Sequence, residues 1–289
     1  MTEPNAAASA NKQAVVYVGL VVLFSLPFYW YFGHAGPMNL AVLAMMWCPG
    51  AAGIICTLLF RQPFGSLGWR WGGWGNFGLG YLIPLAYALI AYLLIWGFGL
   101  GHFPDMKAVT GFAAKLHMQG KSTALQVMVI ALVVGVVGTV VGLIGATGEE
   151  IGWRGFLVPT LHARYGFVRT SLISGTIWAL WHWPLILNGS YRGAAPAWYS
   201  ISCFTVMVVA MSFVMAWLRL RSGSVWPCAL LHASHNAWIQ GFFTPLTVTT
   251  ARTKWWIDEF GAMLAIVTLI WAAALVWRVR RNGGIAAKV

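Results

Sequence analysis

The stretch Ala131–Glu150, ALVVGVVGTVVGLIGATGEE, decides how this chain is read. Ala131–Gly148 carries no charge, and two adjacent carboxylates, Glu149 and Glu150, follow it. An uncharged apolar run of this length reads as a membrane-spanning helix, since about 20 residues cross the hydrocarbon core. Carboxylates are expensive in a bilayer and by default mark a functional site. Two side by side repel unless one is paired or protonated. The chain has only six acidic residues, and the other four, Glu3, Asp105, Asp258 and Glu259, are assigned to the terminus or to loops.

Composition extends the membrane reading to the whole chain. It is 60% hydrophobic and 8% charged, with a mean hydropathy of +0.74. Soluble domains carry about 25% charged residues. Tryptophans cluster near segment ends, as in Trp69-Arg70-Trp71 and Trp255-Trp256, in the manner of an interfacial aromatic belt. The net charge of +12 is not a nucleic-acid signature, because most Lys and Arg lie between apolar segments, where they set orientation. Cys48, Cys56, Cys203 and Cys228 fall in or beside apolar runs without a C-x-x-C, so they read as small buried hydrophobes. The run Ala14–Phe32 is longer than a signal-peptide core and is expected to be an uncleaved first span.

Eight spans can be drawn, roughly 14–32, 39–60, 77–100, 124–148, 168–187, 200–218, 225–243 and 260–277. Helices are expected, because unpaired backbone is not tolerated in lipid and no alternating pattern suggests a barrel. The fold class is therefore an all-α polytopic membrane protein, with residues 1–289 forming a single membrane domain. With the N-terminus inside, the inside loops hold eleven basic residues: Lys12, Arg61, Arg70, Arg164, Arg169, Arg219, Arg221, Arg278, Arg280, Arg281 and Lys288. The outside loops hold six: Lys107, Lys115, Lys121, Arg192, Arg252 and Lys254. That bias places both termini in the cytoplasm.

Spacing sorts the polar residues. Glu150 and Arg154 are four apart on one helical face, with the carboxylate N-terminal, the favourable order for an ion pair. Glu149 lies about 100° around the helix, without such a partner. Glu150 thus reads as an anchor and Glu149 as the usable carboxylate; bracing of the helix end by both is the bland alternative. If the helix runs on and turns near Tyr165-Gly166, Glu149 lies 16 residues before Tyr165 and His182 lies 17 after it, so the two come level. His232 and Asn236 share one face of a later span, with His235 flanking it. Interhelical hydrogen bonding is the bland reading of that face. Gly135, Gly138, Gly142 and Gly145 are expected to let another helix pack closely.

Together these residues suit a hydrolase. Glu149 and His182 can hold and deprotonate a water, and His232 and Asn236 can donate to an oxyanion. Glu149, His182 and His232 as ligands of a zinc ion with one open position are the alternative. There is no H-E-x-x-H, no G-x-S-x-G and no phosphate loop. Non-enzymatic rivals are an immunity or scaffold protein and a small proton-coupled transporter using Glu149 and His182 as a relay. The absence of an internal repeat weakens the transporter.

Residues 130–240 resemble the CAAX protease and bacteriocin-processing (Abi) family of intramembrane proteases, related to the Ras-converting CAAX endopeptidases. Glu149-Glu150-x-x-x-Arg154, continued by Gly155-Phe156-Leu157, Trp178-x-x-x-His182 and His232-x-x-x-Asn236 carry the resemblance, in that order. Trp178 stands where the family often has Phe. The resemblance implies about eight helices around a polar cavity. It also implies Glu149 and His182 as water activators, His232 and Asn236 as the oxyanion hole, and Glu150 and Arg154 as supports. Asn236 beside a second histidine favours metal-free chemistry, with zinc as the alternative. The implied substrate is a membrane-associated or lipidated protein or peptide, in a bacterial or archaeal cell membrane. Eukaryotic relatives trim prenylated proteins; prokaryotic ones are associated with peptide processing and bacteriocin immunity. The substrate and the oligomeric state stay open.

Overall fold

A chain this apolar must satisfy its backbone internally, and helix does so within each segment. The computed structural model describes residues 3–36 and 38–285, with side chains from residue 10 onward. The side chain of Glu3 and the whole of Lys288 therefore lie outside the described residues. The helices are α1 (Glu3–Ala35), α2 (Asn39–Met46), α3 (Cys48–Leu59), α4 (Trp74–Gly97), α5 (Met106–Lys115) and α6 (Thr123–Leu132). They continue with α7 (Thr139–Glu150), α8 (Val158–Leu187), α9 (Ala197–Ser222), α10 (Trp226–Asn236) and α11 (Ala262–Arg281). Three π-helical segments, Val133–Gly138, Ile151–Leu157 and Ala237–Phe243, follow α6, α7 and α10 without a break. A two-residue ladder pairs Gly101 with Thr249 and His102 with Val248, joining two loops.

Among the described residues, six stretches are long and apolar enough to cross a membrane. One of them, Thr123–Leu187, is 65 residues long. It breaks at Gly166 (φ 66°, ψ 179°), inside α8, and returns on itself. Divided at that turn, and with the more polar segment Trp226–Phe243, the described residues hold about eight helical segments of the length expected of a span. The fourth pass does not stop at residue 148: it runs through the acidic pair and a π segment to Tyr165. Glycine supplies the left-handed φ of the turn at no steric penalty.

The bundle is apolar outside, and its mainly apolar interior encloses a smaller set of buried polar residues. Leu58, Val140 and Ile270 are 65%, 60% and 62% exposed, as a lipid-facing surface requires. The four cysteines are free and buried. α10 packs against α4 and α7, α8 against α9, and α11 against α9 and α4. α3 lies against the π segment after α7.

The glycines of the fourth pass serve two neighbours rather than one. A Cβ on Gly135 would strike the Trp238 ring, and one on Gly145 would lie 2.7 Å from Met46 Sδ. Gly138 and Gly142 meet only ordinary contacts, so the expected close packing holds at two of the four positions. The tightest approach is at Gly152, where a Cβ would collide with the Pro49 carbonyl and the Tyr17 hydroxyl. Arg219 also departs from expectation. It is not a loop charge: it is 1% exposed in the last turn of α9, and its Nε donates to the Arg154 carbonyl at 2.9 Å. Its Nη2 donates to the Ser66 carbonyl at 2.8 Å.

Candidate active site

Glu149 and Glu150 are the last residues of α7, where it passes into the π segment Ile151–Leu157. Single π turns interrupt helices often at functional sites. Both carboxylates are buried. Arg154 Nη1 donates to Glu150 Oε1 at 2.9 Å, as the spacing predicts. The same oxygen takes His232 Nδ1 at 3.0 Å, from α10. Glu150 is therefore more than a brace for Arg154, because it also fixes the tilt of the His232 ring. Arg154 is held further by Ser212 Oγ of α9, 3.2 Å from Nη2.

Trp178 organises the other carboxylate. Its Nε1 donates to Glu149 Oε2 at 2.8 Å. The Arg154 guanidinium lies 4.2 Å over its ring. One indole thus binds the anion at its edge and the cation on its face. A phenylalanine there could not donate, so the indole of Trp178 adds a contact to the site.

His182 follows Trp178 by one turn. Its Nδ1 donates to the Trp178 carbonyl at 2.9 Å, which leaves Nε2 as the lone pair of the neutral ring. The ring is packed among Trp181, Phe204 and Tyr191, with centroids 4.8, 4.9 and 5.8 Å away. Glu149, His182, His232 and Asn236 all line one cavity of about 160 Å³. Glu149 and His182 thus line the same cavity, but Trp178, one turn before His182, makes the direct contact to Glu149. Glu149 Oε1, His182 Nε2, His232 Nε2 and the Asn236 amide have no hydrogen-bond partner among the described residues. Much of the remaining lining is apolar and methionine-rich, with Met45, Met46, Met207 and Met211.

A second polar cluster completes the cavity, and sequence reasoning missed it. Glu259 lies in the loop before α11, as expected, yet it is only 3% exposed. His235 Nε2 donates to its Oε1 at 2.8 Å. Gln240 Nε2 donates to its Oε2 at 2.9 Å, and the Tyr191 hydroxyl donates to that same oxygen. The other nitrogen of His235 is 2.6 Å from the Tyr87 hydroxyl. Burial works to raise the Glu259 carboxyl, but His235 first, then Tyr191 and Gln240, outweigh it and hold the group below the usual carboxylate range. The signal was available: Asp258-Glu259 is the chain's other adjacent acidic pair, followed by an apolar helix rather than preceded by one. Among the described residues, no three His, Cys, Asp or Glu side chains converge as metal ligands, so no step is routed through a metal.

Residues 124–238, which include every one of Glu149, His182, His232 and Asn236, match the family described as type II CAAX prenyl endopeptidase Rce1-like. This chain carries an Rce1-like region. It is also 36% identical over 81 residues to a protein of Methanococcus maripaludis named CAAX prenyl protease 2. That alignment covers 27% of this chain and 30% of the archaeal relative, so it spans under a third of the protein that it matches. The Rce1-like region takes in α6 through α10 with the first two π segments, and ends two residues beyond Asn236. Glu259 and the loop that bears it lie outside it.

Proposed function

We propose that this protein is an intramembrane endopeptidase, hydrolysing a peptide bond in a membrane-associated or lipidated protein or peptide. Support comes from one cavity, in which four polar groups from three passes point inward without protein partners among the described residues. A water held between Glu149 Oε1 and His182 Nε2 meets two acceptors and has its proton drawn off as its oxygen attacks the scissile carbonyl. His232 Nε2 and the Asn236 amide donate to the oxyanion that forms. Because His232 Nδ1 already donates to Glu150, its Nε2 can donate only in the imidazolium form, whose charge the Glu150 carboxylate balances. When the C–N bond breaks, the proton taken from water passes to the leaving amine. Glu150, Arg154 and Trp178 orient these groups. No metal is assigned a role, and zinc remains outside the scheme.

The apolar part of the cavity lining suits a substrate with a lipid or hydrophobic segment beside its scissile bond. We place the protein in a bacterial or archaeal cell membrane with both termini cytoplasmic. The test compares peptides released from membranes carrying the wild type or Glu149→Gln at matched levels. Fragments dependent on Glu149, undiminished after chelator treatment, are expected. Identical peptide profiles, with both proteins folded and a prenylated test peptide uncleaved, would overturn the proposal.

A further inference from the structure

Away from the cavity, a groove of about 830 Å³ opens on the outside of the bundle between the second half of α8, α9 and α11. Leu172, Val206, Val209, Leu269 and Val276 line its apolar length. Its floor is made by small side chains, Ala210 and Ala272, of a buried cluster separate from the main core. Where the three helices meet, these alanines leave a channel that larger side chains would fill. Such a channel on a membrane-facing surface has the shape and polarity of an acyl chain.

One end of the groove differs from the rest. Trp277, Arg280 and Arg281, from the last turns of α11, close it. All three are exposed, and Arg281 lies 5.3 Å over the Trp277 ring. Neither arginine has an ion-pair partner among the described residues, and no acidic residue among them lines the groove. Arg278, in the same turn, does not line it. Orientation by positive charge requires basic residues at this end of the helix but not that two of them close an apolar channel.

We infer that this groove is a binding site for an anionic phospholipid, with an acyl chain along Val206, Val209, Leu269 and Val276 and the phosphate on Arg280 and Arg281. The guanidinium is the side chain best matched to a phosphate, by charge and by paired donors. An indole beside the two arginines, as Trp277 is, matches the aromatic residues that mark a headgroup boundary. A zwitterionic lipid would fill the channel equally but would gain less from the two cations. The site is independent of the proteolytic cavity, so it stands or falls apart from the function proposed above.

The experiment uses the full chain in detergent, supplied with phosphatidylglycerol or phosphatidylcholine of matched acyl chains. Retained lipid is counted by native mass spectrometry, and the thermal midpoint is read in parallel. The wild type is expected to retain phosphatidylglycerol with a preference of about tenfold, in line with two cations acting on one headgroup. The double variant Arg280→Ala/Arg281→Ala is expected to bring the two lipids to parity. Ala273→Trp, an exposed groove position, is expected to reduce retention of both lipids while leaving the arginines in place. Equal retention of the two lipids by the wild type would overturn the inference, as would a preference unchanged in both variants.

Discussion

At the scale of single residues, the chemistry depends on which atoms already have partners. Glu149 uses one oxygen on Trp178 and keeps the other for the cavity, and His182 spends Nδ1 on a carbonyl to leave Nε2 free. Trp178→Phe keeps most of the packing but removes the indole donor. A hydrogen bond to a charged group contributes about 1.5–3 kcal/mol. Trp178→Phe is therefore expected to lower the thermal midpoint by a few degrees, because the buried Glu149 carboxylate loses its donor, and to reduce cleavage by one to two powers of ten; wild-type rates would remove Trp178 from the reaction. Asp258 supplies a pH test outside the membrane. Burial pushes its carboxyl up to about 7; the Phe260 amide, 2.7 Å away, opposes this and the neighbouring Glu259 charge adds to it. A folded value above the unfolded one means that the stabilisation is present below about pH 4 and is lost as pH rises toward 7. Asp258→Asn keeps the acceptor for Phe260 and suits the left-handed φ of 60°. The variant should match the wild type near pH 4 and melt higher at pH 8. An offset of equal size at both pH values would contradict the assignment. Both glutamates of the first pair were legible from sequence, because a carboxylate after an apolar run has few explanations. The donor from Trp178 and the double duty of Glu150 were not, since both cross between helices.

At the scale of elements, the fourth pass is held at the right depth by close backbone approach. Gly152 sits one turn from Glu149, pressed on the Pro49 carbonyl of α3 and the Tyr17 hydroxyl of α1. Gly152→Ala forces one of three rigid segments to move, and overpacking of this kind costs about 1–3 kcal/mol. The variant is expected to melt several degrees lower and to lose cleavage as well, because Glu149 and Glu150 would shift with the π segment. An unchanged midpoint would show that α3 can yield. The turn at Tyr165-Gly166 was readable from a glycine in a short polar stretch, but the end of the fourth pass was not: its apolar pattern stops at Gly148 while the helix runs on to Tyr165. The π segments were not readable either. Their wider turns carry no residue signature in Ile151–Leu157 or Ala237–Phe243 and arise from the packing around them. Glu259 was misjudged for a related reason. A loop residue is expected to meet water, and only the arrival of His235, Tyr191 and Gln240 removes it.

At the scale of the molecule, the proposed orientation with both termini cytoplasmic requires an even number of passes, which would put both ends on one face of the membrane. Protease-cleavable tags at the two ends should be digested together in inside-out vesicles and spared together in right-side-out ones. Digestion of only one tag in either preparation would require an odd number of crossings. The amino-acid sequence by itself determined that this chain lies in a bilayer, that its passes are helical, and which carboxylates, histidines and asparagine do not belong in lipid. Each follows from local physics: apolar length, the need to pair backbone groups, and the expense of burying charge. Tertiary structure alone decided that Glu150 serves Arg154 and His232 at once, that Trp178 joins Glu149 to Arg154, and that Glu259 faces the same cavity from 110 residues away (259 less 149). Those contacts join segments distant in the chain, and their geometry exists only once α7, α8, α10 and the loop before α11 have packed together.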